Sequence, residues 1–564
     1  MRGMKPIDIV YVSYNSEKWI GNCFESLVGS NYELKKINIY IVDNRSSDHT
    51  IDKLNEVKKN YGSLFGEFEI VEVKENLGFG KANNIGFNHG KSPYVCFLNI
   101  DTELYPNTIL NLIDEIESSA HDYAMWELRQ FPYEHPKFYD VLTGETGWCS
   151  GAAFAVSREV FTRVGGFDRH IFMYAEDVDL SWRIRSFGYR LKYCPKAVIK
   201  HYSYENAGEV KPNQYVNSII NNLLLRYRFG THKDILTGHL YFWNIMRRKD
   251  EFPKSRKMLF QRYLHHFIEI PHFRNKKNIG LSDNFSPSFI GMDYSPIRDG
   301  AFYVNKFPKE TPLVSIIVRT CGRAAVLRET LISLRNQTYA PLEVVIVEDG
   351  INTAEKMIFE EFSDMNILYF ATGIKVGRSK AGNMAMEKAH GKYLNFLDDD
   401  DLFYADHVEV LVNALLHSEN RAAYALAFET PIEIKSRDPY IYEIKNYLGI
   451  HKQQYNKIIL CHHNYIPIQA IMFEKSLFEE YGGLDEELDA LEDWDLWVRY
   501  SLYTEFEFVF KTTSIYRVPY NKKNSQERQR VLDEALDKVR EKHKEYVQTI
   551  SVRDIADLYD HYLR

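Results

Sequence analysis

The chain has 564 residues, 45% of them apolar and 26% charged, with a formal charge of −8; that is more than one ordinary core holds, and the composition is that of soluble globular domains. The acidic balance argues against a general nucleic-acid binder, because such domains carry a net basic footprint. Residues 1–8 hold no apolar signal core and no run approaches ~18 apolar residues, so a cytoplasmic location is expected, with the inner face of the cell membrane as a variant of it.

Residues 7–12 form a short apolar run closed by Ser13-Tyr14-Asn15, residues 17–28 have helical periodicity, and residues 37–42 are a second apolar run closed by Asp43-Asn44. This predicts strand, helix, strand, with acids and amides at the strand ends. Lys81-Ala82-Asn83-Asn84 follows, then a third strand over 94–98 running into Asn99-Ile100-Asp101. Later come the turn Gly165-Gly166-Phe167-Asp168 and a short helix opening on Glu176-Asp177. Residues 241–310 are rich in proline and predict a helical extension and connector.

Some three hundred positions on, the same order returns. A strand over 314–318, a helix around 328–336 and a strand over 344–347 end in Glu348-Asp349-Gly350. Lys380-Ala381-Gly382-Asn383, a strand running into Asp398-Asp399-Asp400, Gly482-Gly483-Leu484-Asp485 and Glu492-Asp493 complete the second copy. We align Asp43 with Asp349, Asp101 with Asp400 and Asp177 with Asp493; the order is kept while the loops differ, which predicts a duplicated α/β domain. The expected boundaries are 1–240, 241–310, 311–520 and 521–564, the last a helical appendage for packing or oligomerisation.

Open parallel sheets bind ligands in the crevice outside the carboxyl ends of their strands, so the polar clusters fall where a ligand should be. Asp398 and Asp400 point the same way along an extended chain. Carboxylates so crowded are usually kept ionised by a hard divalent cation, here Mn2+ or Mg2+; a solvated acidic turn is the alternative. The first copy keeps one carboxylate, Asp101, with an amide at Asn99, and His201 after a strand-like run is a candidate further ligand. The Glu176-Asp177 and Glu492-Asp493 pairs suit helix capping, worth about 1 kcal/mol, or proton removal from a substrate hydroxyl.

Two further features bear on partners. Residues 247–277 alternate basic with aromatic or aliphatic side chains, which suits either an anionic membrane surface or a solvated helix face. The six cysteines (Cys23, Cys96, Cys149, Cys194, Cys321 and Cys461) show neither a C-x-x-C pair nor zinc spacing and are read as reduced thiols.

Taken together, these motifs make both halves resemble the inverting GT-A glycosyltransferases of glycosyltransferase family 2, over roughly residues 5–230 and 311–520. The first half, with Val42-Asp43-Asn44-Arg45-Ser46-Ser47-Asp48 and Glu75-Asn76-Leu77-Gly78-Phe79-Gly80, is similar to the rhamnosyltransferase-type branch. The resemblance implies two tandem GT-A domains, each a mixed sheet with flanking helices, taking a UDP- or dTDP-sugar donor. It places Asp43, Lys81 and Asn83, and Asp349, Lys380 and Asn383, at the nucleotide. Asn99, Asp101 and His201, and Asp398 and Asp400, would hold the cation. Asp177 and Asp493 would be the bases, with Glu176 and Glu492 orienting the acceptor. Pro519 stands where the second copy should carry its late histidine.

The expected activity is bifunctional sugar transfer to a surface-polysaccharide or lipid-linked acceptor, with an oligomer allowed. The alternative is one catalytic half beside a binding or scaffolding half. A nucleotidyltransferase is disfavoured because residues 12–16 do not form its Gly-rich phosphate loop. Neither transmembrane helices nor a Gln-x-x-Arg-Trp motif is present, so extrusion of polymer is not expected.

Overall fold

The computed structural model describes residues 5–202, 208–275, 278–488 and 490–562. The chain divides into two compact units, Met1–Ile297 and Arg298–Arg564, each built round one sheet.

In the first unit β1 (Ile7–Ser13), α1 (Ile20–Val28), β2 (Ile37–Asp43), α2 (Thr50–Tyr61), β3 (Glu67–Glu72), α3 (Phe79–His89) and β4 (Tyr94–Asn99) alternate as strand and helix. β1 is buried along nearly its whole length, as an unbroken apolar run in the middle of a parallel sheet must be. Then follow β5 (Thr102–Leu104), α4 (Thr108–Ser118), β6 (Tyr123–Phe131), β7 (Ala153–Ser157), α5 (Arg158–Val164), α6 (Glu176–Ser186) and β8 (Arg190–His201). The 8-stranded sheet has the order β3-β2-β1-β4-β7-β6-β8-β5. Its first four strands are parallel, and β7 joins β4 antiparallel. Three helices close the unit: α7 (Pro212–Phe229), α8 (His232–Arg247) and α9 (Ser255–Arg274). Of the basic segment 247–277, Lys276 and Lys277 lie outside the described residues.

The second unit repeats the plan with β9 (Val314–Thr320), α10 (Ala324–Arg335), β10 (Leu342–Glu348), α11 (Glu355–Glu361), β11 (Ile367–Ala371), α12 (Arg378–Lys388) and β12 (Tyr393–Phe396). β13 (Leu402–Phe403), α13 (His407–Leu416), β14 (Ala422–Arg437), β15 (Tyr440–Ile444), β16 (Leu448–His451) and α14 (Lys457–His462) come next. β17 (Ile471–Glu474), α15 (Lys475–Tyr481), α16 (Glu492–Ser501), β18 (Phe506–Pro519), α17 (Lys522–His543) and α18 (Val552–Tyr562) complete it. The order β11-β10-β9-β12-β17-β14-β18-β13 is that of the first sheet, with β15 and β16 added on the extended β14. Two identical strand orders, crossovers included, make the repeat a duplication of topology as well as of motif.

The C-terminal helices pack on their own domain. Val539 of α17 is fully buried in the core beneath α16, and α18 contacts α14. Among the described residues no helix is long and apolar enough to cross a membrane. The six cysteines are free thiols, with Cys321 exposed.

Candidate active sites

Each Glu-Asp pair opens a helix through a left-handed residue. Ala175 has φ 64° before α6 and Leu491 has φ 59° before α16, a conformation costing a non-glycine residue about 1–3 kcal/mol and typical of functional sites. The turn throws the glutamate inward, so Glu176 and Glu492 are buried while Asp177 and Asp493 stay half-buried. Backbone amides fix both aspartates: Gly151 and Val178 donate to Asp177 at 2.7 and 2.8 Å. Trp494 N–H and the Asn464 amide donate to Asp493 at 2.8 and 2.9 Å. Burial pushes the Asp177 carboxyl up against those donors. Burial, then the neighbouring Glu492 charge, takes Asp493 up to about 7. A carboxyl in that range can accept a proton near neutral pH. Glu176 is pushed well above the carboxylate range by burial and by Asp177, and its Oε2 has no hydrogen-bond partner.

Behind each helix lies the acid of the Gly-Gly turn. In the first unit Arg228 of α7 donates to Asp168 at 2.6 Å and also to Asp179 of α6, which Arg183 holds at 2.8 Å. In the second, Lys542 of α17 bridges Asp485 at 2.6 Å and Asp495 at 2.9 Å, and Arg499 joins Asp495 at 2.9 Å. A cation from the helix that follows the sheet thus ties the turn to the helix of the Glu-Asp pair in both units. The glycines are steric necessities: Gly166 has φ +68° and a Cβ there would lie 2.6 Å from Asn84 Oδ1. At Gly483 a Cβ would lie 2.2 Å from Asn383 Oδ1.

The strand registers change the alignment at the ends of β2 and β10. Ser13 pairs with Asp43 and Thr320 pairs with Glu348, so Glu348 takes the place of Asp43, and Asp349 that of Asn44. Asp43 accepts from the Ser13 hydroxyl at 2.9 Å and from Ser46 N–H at 2.9 Å. Glu348 accepts from Thr353 N–H at 3.0 Å and Ala354 N–H at 3.1 Å. Asn44 accepts from Leu77 N–H at 2.8 Å, and Asp349 from Val376 N–H at 2.5 Å and Gly377 N–H at 3.1 Å. The amides are structural too. Asn83 donates to Phe79 C=O within α3. Asn383 clamps Leu484 through both its N–H and C=O, as Asn84 clamps Phe167, so Asn383 corresponds to Asn84. Lys380 is half-exposed, 4.0 Å from Glu486; Lys81 lies on the first turn of α3.

At the ends of β4 and β12 the two units diverge. In the first, Asn99 and Asp101 flank the end of β4, and His201 Nε2 lies 3.5 Å from Asp101 Oδ1. His201 Nδ1 lies 2.8 Å from Gln130 Oε1, which holds the ring with Nε2 toward Asp101, as an orienting partner does for a metal-ligating histidine. Asn99, Asp101 and His201 are donors of the kind a divalent cation takes.

In the second unit Asp398, Asp399 and Asp400 do not fit one. Arg319 grips both oxygens of Asp398 at 2.8 Å and reaches Glu492 at 2.9 Å. Arg323 donates to both oxygens of Asp399 and to Asp400 at 2.9 Å. Thr102 pairs with His201 across β5 and β8, while Leu402 pairs with Ile515 across β13 and β18. With Asp101 aligned on Asp400, the residue at the His201 position is Tyr516; the expectation at Pro519 is corrected by three residues. Among the described residues no group of three or more His, Cys, Asp or Glu side chains could hold a metal. Arg319 was legible only as a charge near the end of a mostly apolar strand, and Gln130 carried no sequence signal; Tyr516 lies in the stretch that the sequence matched to the late histidine, three residues before the expected position.

The family profile "Glycosyl transferase family 2" matches residues 8–179 and 315–479, more than half of the chain. An uncharacterized glycosyltransferase of Rickettsia prowazekii (strain Madrid E) is 28% identical over 207 residues, 36% of this chain, and the match spans 64% of that protein's length. One of Rickettsia conorii (strain Malish 7) is 22% identical over 513 residues, covering 87% of this chain and 76% of its own. The rhamnosyltransferase WbbL of Escherichia coli (strain K12) is 28% identical over 236 residues, 35% of this chain and 84% of its own.

Proposed function

Because the chain belongs to glycosyl transferase family 2, with two GT-A domains in tandem, we propose that it is a bifunctional inverting glycosyltransferase. Each domain would transfer a sugar from a UDP- or dTDP-sugar to a growing surface-polysaccharide or lipid-linked glycan. The observation that carries this reading is the pair of half-buried aspartates, Asp177 and Asp493, each pinned by two donors on a helix entered through a strained turn.

In each domain the donor nucleotide would lie over the carboxyl ends of the parallel strands, against Asp43 and Asn44 or Glu348 and Asp349. The aspartate takes the proton of the acceptor hydroxyl as its oxygen forms the bond to the anomeric carbon. The bond from that carbon to the nucleotide diphosphate breaks on the opposite side, which inverts the centre without a covalent enzyme intermediate. Holding the reactants in line and fixing the base account for most of the protein's contribution. Burial and the Asp177 charge push the Glu176 carboxyl upward. In the first domain Asp101 and His201, with Asn99 beside them, would hold Mn2+ or Mg2+, which when bound neutralises charge on the leaving diphosphate.

A lipid-linked acceptor is supported by the outer faces of α8 and α9. Leu236, Leu240 and Trp243 on one, and Leu264, Phe267 and Ile268 on the other, are exposed at spacings that form helical stripes. Exposed Arg247, Arg248, Arg256, Lys257 and Arg262 lie on and between these helices, although the whole chain is acidic. An apolar stripe with basic neighbours suits an anionic bilayer surface.

The test is product analysis by mass with a panel of nucleotide sugars and a lipid-linked acceptor. Asp177→Asn and Asp493→Asn are each expected to abolish a different single transfer while the other persists. If only one substitution changes the products, one domain is a binding module and the bifunctional reading is wrong.

A further inference from the structure

We propose that the second domain takes no divalent cation: Arg319 and Arg323 occupy its acidic cluster, and Arg323 and Arg378, which stay exposed, neutralise the donor's diphosphate. The inference rests on the reading of that domain as a nucleotide-sugar site.

Ile7 pairs with Tyr94 and Val314 with Tyr393, so equivalent positions in the two sheets follow residue by residue. Arg319 stands where the first domain has Val12, and Arg323 where it has Ser16. Arg378 opens α12 after Gly377, where Phe79 opens α3 after Gly78. Three neutral positions of one domain are three arginines in the other. The opposite exchange occurs at the cation end: Tyr516 replaces His201, and Ala427, which pairs with Ser514 as Gln130 pairs with Ile199, replaces the glutamine that orients it. One domain has lost both a ligand and the residue that aims it, and has gained three fixed cations.

The arginines are also placed for the work. Arg319 is buried between Asp398 and Glu492 and satisfies both. A metal ion on Asp398 would have to displace a bidentate guanidinium, the strongest pairing a carboxylate makes with a side chain. Arg323 and Arg378 keep 44% and 59% of their side-chain surface exposed. Arg378 Nη1 is only 4.0 Å from Glu492 Oε1, so it stands at the mouth of the site on the first turn of an 11-residue helix. Planar guanidinium forks on a helix N-terminus are suited to a diphosphate.

The experiment uses the full chain and two ligand probes. UDP, GDP and dTDP are each titrated calorimetrically in EDTA, and Mn2+ is titrated with and without them by electron paramagnetic resonance. At least one diphosphate is expected to bind in EDTA. Loss of one charge-assisted hydrogen bond should weaken that binding roughly tenfold in Arg378→Gln, with Arg378→Lys recovering part of it. Mn2+ should fill a single site, lost in Asp101→Asn and kept in Asp400→Asn. Two Mn2+ sites, one of them lost in Asp400→Asn, or diphosphate binding that always requires the metal, would overturn the inference while leaving the donor-site reading intact. No diphosphate binding under either condition would overturn both.

Discussion

Replacing Arg228 with Met tests whether the cation behind α6 holds that helix in place. Arg228 is 4% exposed and donates to Asp168 and Asp179, whose side chains are 10% and 0% exposed. Removing one partner of a buried ion pair costs about 3–5 kcal/mol, because it strands the other charge. Here each carboxylate keeps a second donor, Asp168 from His272 at 2.9 Å and Asp179 from Arg183 at 2.8 Å, so the low end, about 3 kcal/mol, is expected. The effect is local, so amide hydrogen exchange along α6 and α7 is the assay. These helices should lose about 3 kcal/mol of protection, while α16 is unaffected. The pH dependence fixes the mechanism. Burial alone would raise the Asp168 carboxyl, but Arg228 and its other donors hold it well below 3.8. A depressed folded value means stabilisation that is full above the unfolded value and lost as pH falls through the folded one. The gap between wild type and variant should therefore be constant above pH ~5 and narrow below pH ~4. A loss under ~1 kcal/mol, the worth of an exposed pair, or a gap unchanged in acid, would refute the reasoning.

Three further outcomes are expected. Transfer by the second domain should rise with pH through about 7 and level off above it, because Asp493 must be ionised to accept a proton and burial holds it up to about 7; a flat profile from pH 5.5 to 8 in kcat/KM would remove Asp493 as the base. Asn383→Ala should destabilise the second unit by about 1–3 kcal/mol, read by urea unfolding, since it leaves Leu484 N–H and C=O without their partner; no change would show that water replaces the clamp. The protein should float with vesicles containing phosphatidylglycerol but not with pure phosphatidylcholine vesicles, and Leu240→Glu with Leu264→Glu should abolish flotation; equal binding to both lipids would dismiss the anionic surface.

Much of this protein was fixed locally and is therefore readable in the chain. The alternation of apolar runs with helical periods, the Gly-Gly turns and the Glu-Asp pairs are short-range signals, and their repetition in one order sufficed for two α/β domains with acids at the strand ends. What tertiary structure alone decided is which residues meet. Aligning Asp43 with Asp349 matches letters, yet the ladders pair Asp43 with Ser13 and Glu348 with Thr320. A slip of one residue in a strand turns every side chain to the other face, so likeness of sequence could not choose. The same limit put Pro519 where the register puts Tyr516. Arg319 and Asp398 are 79 positions apart, and an acidic cluster reads as a metal site until the strand beside it is known to deliver a guanidinium. Charge compensation is a property of neighbours in space, and those neighbours come from different strands of the sheet.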